Sequence, residues 1–293
     1  TIFAYGQTGS GKTHTISGDR GSPGVLSMAV DDVFAFVQRE AGRDFSLHVS
    51  MLEIYNDHLR DLLAPPGERL SSGRRLQIKE ERGGVAVAGL HEEEVHDTGR
   101  VQELMAMGNT RKQVGSTKMN ERSSRSHTIF RIRIESTVRK GTPAADEGRG
   151  GPVRVAVLNF VDLAGSERLS KTGAEGLRAQ ESTQINLSLL ALGNVISKLV
   201  DGGSRDHIPY RNSPLTRILQ GSLGGNSRTV IVATFSQDLD DAEETSHTLR
   251  FASRAKKVTN KVQVNELVRT SSQAPVPPVK AAPSKEELAR EAA

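Results

Sequence analysis

The chain opens on an apolar run, Thr1-Ile-Phe-Ala-Tyr5, and passes directly into Gly6-Gln-Thr-Gly-Ser-Gly11-Lys12-Thr13. The first segment reads as a strand and the second is a complete G-x-x-x-x-G-K-[ST] phosphate loop. Glycines at these spacings let the backbone turn tightly enough to aim several N–H groups at phosphate oxygens. Lys12 brings a point charge for the β- and γ-phosphates, and Thr13 a hydroxyl for Mg²⁺. A helix expected after the loop adds unpaired N–H groups and the positive end of its dipole. Gly6, Gln7, Thr8, Gly9, Ser10, Gly11, Lys12 and Thr13 are therefore the candidate nucleotide-binding set. A bare glycine-rich turn would share some of these residues, but not the strand before them and the threonine after them.

A phosphate-loop strand lies inside a sheet, so a chain whose loop begins at residue 6 is expected to continue upstream of Thr1. The 293 residues, 35% hydrophobic and 25% charged, fit one globular domain plus a tail. Cysteine is absent, which excludes disulfides and thiolate metal sites. No run approaches the roughly 18 apolar residues of a membrane span, and no basic-then-apolar leader is visible. No membrane partner is expected. The net charge of +4 suits either an acidic partner or an ordinary solvated surface.

Apolar spacing predicts a helix over 25–40, a strand over 45–55, strands over 127–135 and 153–161, a long helix over 185–200, a strand over 229–235 and a helix over 241–257. Pro65-Pro66-Gly67 and the Gly/Pro-rich stretch 141–152 read as loops. Folded structure is expected to end near residue 268, followed by a Pro/Ser-rich linker and a ten-residue segment, 284–293, that is too short to hold a helix alone. Strands alternating with helices after a phosphate loop predict an α/β fold: a mixed, mostly parallel central sheet flanked by helices on both faces.

Two further strings carry chemistry. Val161-Asp162-Leu-Ala-Gly165 ends the most apolar strand, placing a carboxylate where it could reach Mg²⁺ or its water, and a glycine where backbone could approach a γ-phosphate. Standing alone, it is also an ordinary strand-ending turn. Asn120-Glu-Arg-Ser-Ser-Arg-Ser-His127 gathers hydroxyls for a metal or phosphate with Arg125, which can pair bidentately with a carboxylate. Without its context this would be a Ser-rich solvent loop.

Taken together, GQTGSGKTHT, NERSSRSH, DLAGSE, HIPYRNSPLTRILQGSLGG and TLRFASRAKKV resemble, in order, the phosphate loop, two switches, microtubule-facing element and final helix of a kinesin motor domain. The resemblance spans residues 1–267 and is nearest the centromere-associated class. It implies a catalytic core over 1–256, a neck linker over 257–267 and a linker-plus-tail over 268–293. It further implies ATP and Mg²⁺: Lys12 and Thr13 on phosphate and metal, Ser123 and Ser124 in switch I, Asp162 and Gly165 in switch II. Mg²⁺ would be held by Thr13 and Ser124, and by Asp162 through water. Arg125 and Glu167 would form the ion pair that closes the switches, Glu167 relaying the proton of the attacking water. His14 would lie against the adenine.

The implied activity is a plus-end-directed, microtubule-stimulated ATPase of the cytoplasmic cytoskeleton, with dimerisation through a downstream stalk. The implied track surface is the 185–228 region, where Lys198, Arg205, Arg211, Arg217 and Arg228 outnumber Asp201 and Asp206, 5 − 2 = +3. That patch lacks interleaved aromatics, so nucleic acid is not an expected partner. Leu187 and Pro214 stand where the family commonly has Lys, and its R-x-R-P adenine element is missing. Those departures motivate the alternative of a non-catalytic microtubule-binding fragment or regulator. In the neck-linker segment, Val258, Val262 and Val264 are expected to bury apolar surface on docking, with Asn265 latching the backbone.

Overall fold

The computed structural model describes residues 1–19, 21–65, 76–81, 84–114, 122–139, 152–167, 177–202 and 208–267. The central sheet follows the order β3-β2-β7-β8-β1-β9, with β1 at Ile2–Tyr5, β2 at Arg43–Tyr55, β3 at His58–Asp61, β7 at His127–Val138, β8 at Val153–Asp162 and β9 at Val230–Ala233. Strand β1 is parallel to both β8 and β9. Strand β7 runs antiparallel to both β2 and β8, so β2, β8, β1 and β9 share one direction. This is the expected mixed α/β sheet, in which β7 and the edge strand β3 run against those four. Three further short strands precede β7: among the described residues β4 at Gln77–Glu81 pairs with β5 at Gly84–Ala88 alone, and β6 at Glu93–Val95 lies on β2.

Alternation along the strands sends neighbouring residues into two separate cores. Phe3, Ile129 and Val161 join one face with Leu192, Ile196, Leu215 and Phe251. Ala4, Phe130 and Phe160 join the other with Ile16, Leu26, Val30 and Leu104. The period of two therefore decides which helices each strand supports. Helices α1 (Lys12–Ser17), α2 (Val25–Arg39) and α3 (Thr98–Val114) cover the second face; α4 (Leu177–Val200), α5 (Pro214–Ile218) and α6 (Ala242–Ala255) cover the first.

Element positions agree with the sequence reading, with shifted ends. The long helix begins at Leu177, eight residues before the apolar run that announced it, and β7 continues to Val138. The closing helix stops at Ala255 rather than 257. Helix α3 went unforeseen because its buried face is 101, 104, 108 and 112, and those positions hold Val, Leu, Gly and Lys. Helical spacing is intact there, while apolarity is lost halfway. Gly108 lets α3 lie close against β2, since a Cβ there would force the Met51 side chain to move. The expected loops at 66–67 and 141–151 and the terminal segment 284–293 lie outside the described residues.

After α6 the chain returns to the sheet. Asn260 caps the turn at 222–229: its Oδ1 accepts from the Gly224 amide at 2.7 Å, and its Nδ2 donates to the Ser227 carbonyl at 2.7 Å. Residues Asn265–Leu267 then form β10, antiparallel to the start of β8, with Asn265 opposite Val155. The expectation for the three valines needs correction. Val258 packs on the core, but Val262 and Val264 remain 54% and 70% exposed. Amides hold this stretch instead: Asn265 donates to the Val155 carbonyl at 3.2 Å, and Asn226 bonds both Asn265 and the Gln263 amide, at 2.8 and 2.6 Å.

Candidate nucleotide-binding site

Register builds the site. Parallel pairing sets Ala4 opposite Asp162, while Thr128 faces Asp162 from β7. The phosphate loop therefore leaves β1 at the level where β8 delivers its carboxylate and where β7 begins just after Ser124 and Arg125. A cleft of about 270 Å³ opens there, lined by Thr8, Gly9, Gly11, Lys12, Thr13, His14, Ser124 and Leu163. Gly9 and Gly11 adopt φ of 80° and 96°, a region that side-chain-bearing residues enter only with strain. Gly11 is also the N-cap of α1, so the turn feeds the helix end directly.

Charge inside the cleft is balanced. Lys12 is only 7% exposed, and its ammonium donates to the carbonyls of Gly6 and Gln7 at 2.9 and 2.7 Å. Burial lowers its pKa, opposed by Asp162 and Glu167, with Lys112 adding to the lowering. The Thr13 hydroxyl donates to Asp162 Oδ2 at 2.7 Å. The second oxygen of that carboxylate, Oδ1, is buried and has no hydrogen-bond partner among the described residues. Lys112, arriving from α3, lies 3.7 Å from Oδ2. Its place on the buried face of α3 was the signal for it, masked because a lysine there reads as a solvated residue.

Gly6, Gln7 and Ser10 support the loop from behind. Ser10 donates to the Gln7 carbonyl at 2.7 Å and shares a 2.7 Å bond with Thr234 Oγ1. A Cβ on Gly6 would overlap the Thr234 carbonyl, so this position needs glycine for close approach to β9. His14 reaches the cleft wall from α1 with its Nε2 3.4 Å from Asp19 Oδ2, both side chains being largely exposed.

Four successive amides after Asp162 are distributed over the surrounding elements. Leu163 donates to the Ala4 carbonyl at 3.4 Å, Gly165 to the Ser124 carbonyl at 2.9 Å and Ser166 to the Gly6 carbonyl at 3.1 Å. The Ala164 amide donates to His127 Nδ1 at 3.0 Å. His127 is buried at the start of β7, and burial, with Lys112 and Lys12 adding to it, pushes its imidazole down to about 3. The two strings read from the sequence thus meet through backbone, at Gly165 and Ser124. Among the described residues the hydrogen-bond partner of Glu167 is Thr8 rather than Arg125: its carboxylate accepts from the Thr8 amide at 2.8 Å and the Thr8 hydroxyl at 2.5 Å.

On the 185–228 surface, Leu187 and Leu190 of α4 are exposed. Pro214 starts α5, where a missing N–H costs nothing, and the Ser213 hydroxyl caps that helix by accepting from Leu215 at 3.2 Å. Arg211 pairs with Glu80 of the β4–β5 hairpin at 2.8 Å, and Arg217 lies 4.0 Å from the same carboxylate. The linear charge count for this region therefore missed an acid contributed from elsewhere in the chain. Arg205, Asp206 and His207 lie outside the described residues.

Comparison with known proteins agrees with this geometry. The kinesin motor domain family model matches residues 1–258. Kinesin-like protein KIN-7O of Arabidopsis thaliana is 50% identical over 274 residues, 92% of this chain, and KIN-7L of Oryza sativa subsp. japonica is 49% identical over 269 residues, also 92%. The chain spans only 21% and 40% of the lengths of these two relatives. The solved structure of a fast kinesin superposes with a TM-score of 0.78 at 41% identity, covering 93% of this chain and 74% of that one. A KIF14 dimer in its two-heads-bound state, with AMP-PNP and in complex with a microtubule, gives 0.80 at 39% identity, covering 90% and 73%. With the phosphate loop, both switch strings and the sheet that joins them inside the matched span, this chain belongs to the kinesin motor domain family.

Proposed function

We propose that the chain is the ATP-hydrolysing core of a microtubule motor. The observation that carries this reading is the meeting of Lys12, Thr13 and Asp162 in one cleft, with the threonine hydroxyl on one carboxylate oxygen and the other oxygen buried with no partner among the described residues. A hydroxyl beside a carboxylate is a hard-oxygen set suited to Mg²⁺, which uses few protein ligands and relies on phosphates and water for the rest.

In this reading Lys12 and the loop amides bind the phosphates, His14 borders the base, and Thr13 and Ser124 hold Mg²⁺, with Asp162 acting through water. Bound Mg²⁺ would neutralise charge on the transferring phosphoryl group. Gly165 turns its amide from the Ser124 carbonyl toward the γ-phosphate. Glu167 leaves Thr8 for Arg125 and takes the proton of the attacking water. Helix α4 carries the resulting shift to a microtubule bound through the 185–228 region, and 257–267 serves as a neck linker whose docking gives plus-end movement. Cytoskeletal residence, dimerisation through a downstream stalk, and the absence of nucleic acid and membrane partners complete the proposal.

Replacing Lys12 by Ala should abolish ATP turnover while leaving the fold intact. Unchanged turnover would refute the reading. A second reading, a microtubule-binding regulator without turnover, draws support from Leu187 and Pro214 and from the pairing of Arg211 and Arg217 with Glu80. It requires microtubule binding by the unsubstituted chain with no stimulated ATPase.

A further inference from the structure

We infer that His127 is a positioning residue that couples the turn after Asp162 to helix α4 through Ser188. The inference rests on the motor reading above. Its basis is a pair of buried hydrogen bonds on opposite sides of one imidazole: Nδ1 accepts the Ala164 amide at 3.0 Å, and Nε2 lies 2.7 Å from Ser188 Oγ. An amide can only donate, so Nδ1 carries no proton. A neutral ring then has its proton on Nε2, which donates to the Ser188 hydroxyl. The chemistry leaves one tautomer and one direction for the chain of bonds.

All three residues are almost wholly enclosed: Ala164, His127 and Ser188 are 0%, 3% and 4% exposed. Water cannot replace a lost partner there, so both bonds persist or the elements move together. Of the four successive amides from Leu163 to Ser166, three donate to backbone carbonyls and only that of Ala164 uses a side chain. That side chain sits three residues after Ser124, at the start of β7, and its far side is fixed to the helix proposed to report on the track. When the Gly165 amide exchanges the Ser124 carbonyl for a γ-phosphate oxygen, the adjoining Ala164 peptide must shift. The rigid imidazole passes that displacement to Ser188. Packing around a buried histidine would account for enclosure alone, but not for two partners on separate functional elements.

The test uses the full chain with Ser188→Cys, which is slightly larger and replaces a strong acceptor by a weak one, and with Ser188→Ala and Ser188→Thr, at a residue that is buried and so lies off the exposed surface proposed to meet the track. Basal turnover, microtubule-stimulated turnover, nucleotide affinity and thermal midpoint are measured for each. Coupling predicts that Ser188→Cys and Ser188→Ala keep nucleotide affinity and basal turnover within about twofold while stimulated turnover falls about tenfold, and that Ser188→Thr recovers most of it. Unchanged stimulation in both variants overturns the inference, as does an equal fall in basal and stimulated rates, which a purely structural role would give. Stimulated, Lys12-dependent turnover in the unsubstituted chain checks the motor reading separately. Its absence overturns both proposals, whereas its presence with unaffected Ser188 variants overturns only the coupling.

Discussion

Thr8 grips Glu167 twice, through its amide at 2.8 Å and its hydroxyl at 2.5 Å, and so ties the phosphate loop to the segment after β8. Thr8 itself is exposed, so the hold is moderate. Substituting Val removes the hydroxyl and leaves the amide. A hydrogen bond to a charged group in such a setting contributes about 1 kcal/mol, which corresponds to roughly a fivefold population shift. Under the proposed mechanism, Glu167 freed in part from Thr8 would exchange more readily to Arg125. A fluorescent ATP analogue should then bind about three- to fivefold more tightly to Thr8→Val. Unchanged affinity would show that Thr8 does not compete for the carboxylate.

The exchange itself is testable at the other partner. Under the proposed mechanism, Arg125→Ala and Glu167→Ala should each retain ATP binding and lower turnover by about a hundredfold or more, since each would remove half of the charge-assisted contact proposed to assemble the reactive geometry. The charge-swapped double variant should recover part of the loss. Strictly additive effects in the mutant cycle would show that the two residues do not act as a pair.

His127 gives the chain a specific acid sensitivity. Its ordinary value of 6.5 falls to about 3 in the folded protein, because burial disfavours the charged ring. The unfolded chain therefore takes up the proton first. Stability from the neutral ring is complete above about pH 6.5 and is lost progressively as pH falls toward 3. At pH 5 the loss from this residue should be about 2 kcal/mol. Urea unfolding of the parent and of His127→Asn, which cannot titrate, provides the measurement. The stability gap between them should narrow on going from pH 7 to pH 5, and a gap that stays constant would mean that the folded ring is protonated like the unfolded one.

Much of this architecture was legible in sequence wherever function and core patterning coincide. Lys12, Thr13 and Asp162 could be placed together because an apolar strand precedes each motif and strand ends define the site. What escaped was carried by residues whose type contradicts their position. Lys112 occupies a buried helical position, and Gly108 one turn earlier marks close packing rather than a break. The Thr8–Glu167 and Arg211–Glu80 contacts join residues 159 and 131 positions apart, a separation no local pattern encodes. Val262 and Val264 alternate like buried strand residues, yet they stay exposed because polar groups of Asn226, Asn260 and Asn265 do the holding.

That last substitution of amides for valines leads to a test of docking. Asn226 accepts the Gln263 amide at 2.6 Å and donates to Asn265 at 2.8 Å, while Asn265 also reaches the Val155 carbonyl at 3.2 Å. Asn226→Ala removes two of these bonds without altering β8 or the segment itself. At about 1 kcal/mol each, their loss should shift the docked population by roughly tenfold or more. A spin label at Gln263 reports this directly. If the segment is the proposed neck linker, the label should be immobile with a non-hydrolysable ATP analogue and mobile with ADP in the parent, and mobile in both states in Asn226→Ala, with microtubule gliding slowed accordingly. Two leucines or valines in the docked interface would have tolerated loss of one amide. An immobile label in Asn226→Ala would therefore show that apolar contacts, and not the asparagine clamp, hold the segment to the sheet.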